Sequence, residues 1–279
     1  MVSTTARGRR RLAGKGAFIY NDFRNNHAIW PGRDSALDEF LRQTFKGMSH
    51  KKKNARSSNS EDALTWSCFD TLRNVSQSSR AVAFQELWEL AYDNVAAPDG
   101  LEASKIHIGK SYGVEKKTTE VDLSFEGDGF LVVVEAKLYS AMSQSDPAND
   151  KPHNQIARKL TIGLRQAQAE GKDFYFILLD IAPPDCLAQL NSGVSLAEAK
   201  GKASGFGGKW LTAYWFSRYK YGHRRSLRPL RELLLNEGLD AAQTAQVAKR
   251  MGWLTWADVF KIVLRAVIPA LKPEDHDAK

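Results

Sequence analysis

The 279-residue chain is 43% hydrophobic and 26% charged, ordinary globular proportions that exclude a wholly disordered or fibrous chain and leave enough apolar side chain for a sizeable core. The net charge of +8 sits at one end, because the first 60 residues hold 13 of the 40 Lys and Arg but only 4 of the 32 Asp and Glu. No apolar stretch is long enough to span a bilayer, and no apolar run follows the N-terminal arginines as a secretory signal requires.

Cys68 and Cys186 stand far apart with no CxxC, which argues against a disulfide framework or a zinc ribbon and makes a reducing cytoplasm the expected location. The cationic runs Arg7, Arg9–Arg11 and Lys51–Lys53 either neutralise a polyanion or form a solvated basic arm. The segment Ser60–Trp66 reads as a capped helix start, with Glu61 a candidate acidic site residue. From Ser79 to Asp93 the apolar residues Phe84, Leu87, Trp88, Ala91 and Tyr92 share one helical face.

Lys105–Lys110, Thr118–Phe125 and Phe130–Lys137 then read as three strands, with Glu126-Gly127-Asp128-Gly129 as turn chemistry between the last two. Helical spacing returns over Asn154–Glu170, and the run Phe174–Leu179 suits a strand buried on both faces. The order is helix, three strands, helix, strand.

The hairpin can be tested on paper. With Gly127 and Asp128 at its tip, Asp122 faces Val133, Glu120 faces Glu135 and Thr118 faces Lys137. Side chains alternate along a strand, so Glu120, Asp122, Glu135 and Lys137 project from one face. Opposed carboxylates repel unless they take up a proton or a cation, and hard oxygen ligands without a His or Cys cluster suit Mg²⁺ or Mn²⁺. A neighbouring ammonium can hold an attacking water, which together with a metal is the equipment of phosphodiester hydrolysis.

Asp122, twelve intervening residues and then Glu135-Ala136-Lys137 resembles the PD-(D/E)XK nuclease superfamily, whose core is a helix, three strands, a helix and a strand. The resemblance covers residues 79 to 181 and implies a restriction-endonuclease-like α/β core with a mixed sheet. It implies Asp122 and Glu135 as metal ligands with Ala136 through its carbonyl, and Lys137 as the residue that orients water; Glu120 joins the expected metal ligands through its shared strand face. Val121 stands where the family name has proline. Some members add a carboxylate from the first helix, for which Glu86 and Glu89 are both open, and related nucleases use a Gln from the second helix, here Gln155. Arg158, three residues on, either holds a phosphate or is a surface charge.

Residues 1 to 78 would be a basic extension, and residues 182 to 279 an insertion, an aromatic-basic segment and C-terminal helices. Trp210–Arg225 interleaves aromatics with Lys220, Arg224 and Arg225, a composition that suits stacked bases and phosphates but more often reflects core or lid packing with exposed basic neighbours. Ala241–Val267 reads either as a helix-turn-helix with Gly252 in its turn or as a strand over Trp253–Trp256 feeding a last helix, and the two tryptophans favour burial. The six histidines lack ligand spacing, with only His153 beside the core, and no phosphate loop is present. The expectation is a Mg²⁺-dependent DNA endonuclease in a restriction or phage-defence setting, with protein partners of a defence system and a homo-oligomer both compatible with it. The alternative is a non-catalytic DNA-binding protein that uses the basic arm and a C-terminal helix-turn-helix.

Overall fold

The computed structural model describes residues 9–11, 18–44, 48–92, 94–114, 117–138, 154–181 and 230–271. The chain divides into two units, one of Met1–Leu87 with Asp258–Lys279 and the other of Trp88–Ala257. Among the described residues no helix is long and apolar enough to cross a membrane.

In the first unit β1 (Arg9–Arg11) pairs antiparallel with β2 (Phe18–Tyr20), followed by α1 (Asp34–Arg42), α2 (His50–Asn54), α3 (Glu61–Asn74) and most of α4 (Gln77–Ala91). The start of α3 is where the sequence places it, because the Ser60 side chain accepts a hydrogen bond from the Ala63 N–H at 3.2 Å and satisfies a donor the helix leaves unpaired. Asp70 is buried between Arg33 and Arg73 at 2.8 and 2.7 Å. The Lys51–Lys53 run is not a uniform cationic surface. Lys51 is 1% exposed, donates to Gln43 Oε1 at 2.9 Å and lies 5.1 Å from the Phe40 ring centre, so only Lys52 and Lys53 of that run face water.

The second unit holds β3 (Lys105–Ile108), β4 (Ser111–Val114), β5 (Lys117–Glu120), β6 (Leu123–Glu126), β7 (Phe130–Ala136), α5 (Gln155–Ala169), β8 (Asp173–Asp180), α6 (Leu230–Asn236), α7 (Ala241–Lys249) and β9 (Met251–Thr255). The last helix, α8 (Trp256–Leu271), begins here and belongs to the first unit from Asp258 onward. Five strands form a sheet in the order β3-β6-β7-β8-β9, antiparallel from β3 to β7 and parallel from β7 to β9. The architecture is therefore α/β with a mixed sheet flanked by helices. Every residue of β7 is buried, as expected of an apolar run with neighbours on both edges and both faces.

One expectation changes. The single strand expected over Thr118–Phe125 is two strands, with β5 outside the main sheet in a hairpin with β4. Of the two readings of Ala241–Val267 the favoured one holds, because a strand, β9, lies between its two helices and pairs with β8, and the segment is not a helix-turn-helix. Gly252, which that alternative puts in a turn, stands within β9. A Cβ there would lie 2.9 Å from the Tyr92 ring and 3.0 Å from the Ala91 carbonyl oxygen, so close packing selects the glycine.

Gly163 has the same role where α5 meets the sheet, because a Cβ would lie 2.4 Å from the Phe174 ring. Replacing a helical glycine gains up to about 1 kcal/mol of propensity, whereas overpacking a filled core costs about 1–3 kcal/mol. Phe174 is buried and cannot swing away. Gly163→Val is therefore expected to lower the denaturation midpoint without changing the denaturant m-value, and a midpoint equal to wild type or higher would contradict this packing.

Candidate active site

The β6–β7 hairpin turns one residue later than its composition suggests. Gly127 N donates to the Phe130 carbonyl at 3.1 Å, leaving Asp128 and Gly129 at the tip. Leu123 pairs with Val134 and Ser124 with Val133, a shift of two residues from the register expected on paper. A shift of two keeps every side chain on its face. Continued one step past β6, it sets Asp122 opposite Glu135. Glu120 does not face Glu135, because it closes β5 opposite Ser111. Thr118 pairs with Gly113, not Lys137.

Local backbone bonds place these groups. The Gly109 N–H donates to the Asp122 carbonyl and the Val121 N–H to the Lys110 carbonyl, both at 3.0 Å, which fixes the chain where it leaves the β4–β5 hairpin. Because β6 begins only at Leu123, the Ala136 N–H has no strand partner there, and Asp122 Oδ2 accepts its hydrogen bond at 2.8 Å. Lys137 follows the end of β7. Its N–H donates to the Leu179 carbonyl at 2.7 Å, and its own carbonyl accepts from Trp256 Nε1 at 3.1 Å.

Sequence reasoning missed the fourth member, Lys159 of α5. Its ammonium is ion-paired with Glu135 Oε2 and lies 3.6 Å from Asp122 Oδ2, while Lys137 Nζ lies 2.7 Å from Glu135 Oε1. The side chains of Glu135, Lys159 and Lys137 are 0, 4 and 7% exposed; that of Asp122 is 27% exposed and is the open side of the cluster. A signal for Lys159 was present in the sequence. It stands three residues after Ile156 and beside Leu160, on the apolar face of the helix, where a charge requires a partner. Asp180 was also missed. It is buried at the end of β8 and, by strand alternation from the Glu135–Leu178 pair, lies on the same sheet face as Glu135.

The two acids titrate in opposite directions. Burial, and then the charge of Asp122, pushes Glu135 up to about 7, despite both lysines. Burial would also raise Asp122, but Lys159, Lys137 and the hydrogen bonds from Glu135 and the Ala136 N–H outweigh it and hold that carboxyl well below the usual range.

Among the described residues no three or more His, Cys, Asp and Glu side chains converge as a group able to hold a metal ion. Asp122 and Glu135 nevertheless bring two hard oxygen donors together. Such a pair suits Mg²⁺ or Mn²⁺, which keep several waters and take other oxygens from a substrate, and does not suit a closed structural zinc site.

The remaining expected residues are dispersed. Gln155 opens α5 after its N-cap Asn154, whose side chain accepts from the Ala157 N–H at 3.0 Å. Ala136, between Glu135 and Lys137, is fully buried. The Arg158 guanidinium donates to the Thr118 carbonyl at 2.6 Å and so ties α5 to β5. Glu86 belongs to the first unit and is ion-paired with Arg265, Glu89 is exposed on α4, and Glu61 is the first residue of α3. Lys220, Arg224, Arg225 and His153 lie outside the described residues. Compared with family models, curated proteins and solved structures, the chain matches none.

Proposed function

We propose that the protein is a divalent-metal-dependent nuclease that hydrolyses DNA phosphodiester bonds at the Asp122–Glu135–Lys137 cluster. The observation that carries this reading is Asp122, just before β6, set opposite Glu135 of β7 at the edge of a buried core, with ammonium groups in contact. The arrangement also accounts for a cost that a purely structural role leaves unexplained. Two acids and two lysines taken out of water stabilise a fold less well than apolar side chains of similar size, so their presence calls for another role.

Asp122 and Glu135 would hold the ion, with the Ala136 carbonyl as a further donor. When bound, Mg²⁺ or Mn²⁺ supplies Lewis-acid stabilisation of the negative charge that develops on the phosphate. The chain's own groups do the rest. Lys137, buried and held through its backbone by Leu179 and Trp256, presents a fixed ammonium to orient the attacking water and offset charge. The hydrogen bond from the Ala136 N–H keeps Asp122 aimed at the same point and anionic. A restriction or phage-defence setting, with partner proteins that supply specificity, belongs to the same reading.

Incubation of the purified protein with plasmid, single-stranded DNA and RNA in Mg²⁺ or Mn²⁺ is expected to cleave DNA and to stop on chelation. Cleavage that persists in chelator, or an intact substrate under every metal condition, would overturn the assignment.

A further inference from the structure

The position of Lys159 has a consequence for how a metal reaches the site, and this inference rests on the metal-dependent reading above. The ammonium contacts Glu135 Oε2 and stands 3.6 Å from Asp122 Oδ2. It therefore lies between the two carboxylates, where an ion bridging them has to sit. We propose that Lys159 is a tethered counter-ion that fills the cation position between Asp122 and Glu135 in the metal-free protein, and that a divalent ion binds only by displacing it.

Charge supports the exchange. With Glu135 ionised, as a metal ligand has to be, two carboxylates and two ammonium groups sum to zero, and a divalent ion added to that set would leave a buried surplus of two positive charges. With Lys159 withdrawn, Asp122, Glu135 and Lys137 keep one net negative charge to receive the ion. Geometry supports it as well. Helix α5 cannot shift to make room, because the glycine surface at Gly163 is packed on Phe174 and Arg158 is bonded to Thr118. The lysine side chain, by contrast, has a flexible four-carbon stem and can carry its ammonium away by rotamer change alone. A displaced Lys159 also remains within its own reach of the site, as a positive group for the phosphate that arrives with the substrate. The residue is thus a positioning group in one state and an anion-binding group in the other.

Mn²⁺ binding to the full-length protein, measured by calorimetry, tests the exchange in wild type, Lys159→Met, Lys159→Gln and Asp122→Asn. Removing the ammonium is expected to tighten binding by about tenfold or more, the scale on which partners of metal ligands commonly act, while Asp122→Asn removes it. Binding seen only once Lys159 is replaced would support the proposal equally. Mn²⁺ that binds wild type through Asp122 but binds both Lys159 variants no more tightly would overturn the counter-ion role and leave the metal site standing. Absence of Asp122-dependent binding in every variant would overturn both.

Wild-type protein offers a second readout that does not depend on a variant folding. In chelator the 4% exposed Lys159 should resist acylation by an amine-directed reagent, and saturating Mn²⁺ should raise its labelling several-fold with Lys52 unchanged as control. Equal labelling of Lys159 with and without bound Mn²⁺ would overturn the displacement.

Discussion

Asp122→Asn is expected to lower the rate of metal-dependent DNA cleavage by roughly 10²–10³-fold or more, the size of loss seen when one electrostatic group is removed from a prearranged site. The amide is the informative substitution. Its oxygen can still accept the Ala136 N–H bond that Asp122 Oδ2 accepts at 2.8 Å, so the end of β7 stays capped while the charge is lost. At neutral pH the variant gives up the stability that Asp122 draws from its lysines, and relief of Glu135, which keeps Lys159 as its partner, offsets part of the loss. Cleavage at the wild-type rate by a folded Asp122→Asn protein would place any activity elsewhere on the chain. The same variant should also bring the Glu135 titration down towards the usual carboxylate range, since the charge of Asp122 is the second cause of its elevation after burial.

Metal-free stability is expected to fall as pH rises from about 4.5 to about 7, and Glu135 is the reason. Its carboxyl is raised from 4.5 to about 7 in the folded chain, so across that interval the folded state holds a proton that the unfolded state has released. A raised acid contributes stability that is fully present below its unfolded value and is lost as pH climbs through the folded one. At about 1.4 kcal/mol per pH unit, the loss is on the order of 3 kcal/mol. Asp122 acts with the opposite sign and in another window. Its lowered value adds stability above the ordinary 3.8, which disappears only as pH falls below that point. Denaturant titrations in chelator across pH 4.5 to 8, in wild type and Glu135→Gln, separate the effect from every other carboxylate. The difference between the two proteins should change by that amount in the direction stated, and a difference independent of pH would refute the elevated titration.

The face shared by Asp122, Glu135 and Lys137 was legible without coordinates because strand alternation has a period of two. The paper register was off by two residues, and an even error leaves every side chain on its side of the sheet. An odd error would have sent Asp122 to the opposite face from Glu135. The same tolerance did not extend to partners. Glu120 was assigned to Glu135 on the assumption of one continuous strand, yet up to Glu120 the chain belongs to the β4–β5 hairpin and joins the main sheet only at Leu123, so that Ser111 is the partner of Glu120. Nothing local announces that break, since Lys117–Glu120 and Leu123–Glu126 both have strand composition and it falls at Val121-Asp122.

Local chemistry determined the elements: the apolar runs that became β7 and β8, the Ser60 and Asn154 caps, the tryptophans whose burial favoured β9 over a helix-turn-helix, and the acidic-x-Lys tripeptide at a strand end. Tertiary structure alone decided which charges meet. Lys159 is 22 residues from Lys137 and on a helix, so only the packing of α5 against β7 brings its ammonium between Asp122 and Glu135. Periodicity is a property of neighbours along the chain and survives in the sequence. An ion pair across a core depends on where two elements cross, and that crossing is set by shape, here by a glycine at residue 163 that lets the helix lie close to Phe174.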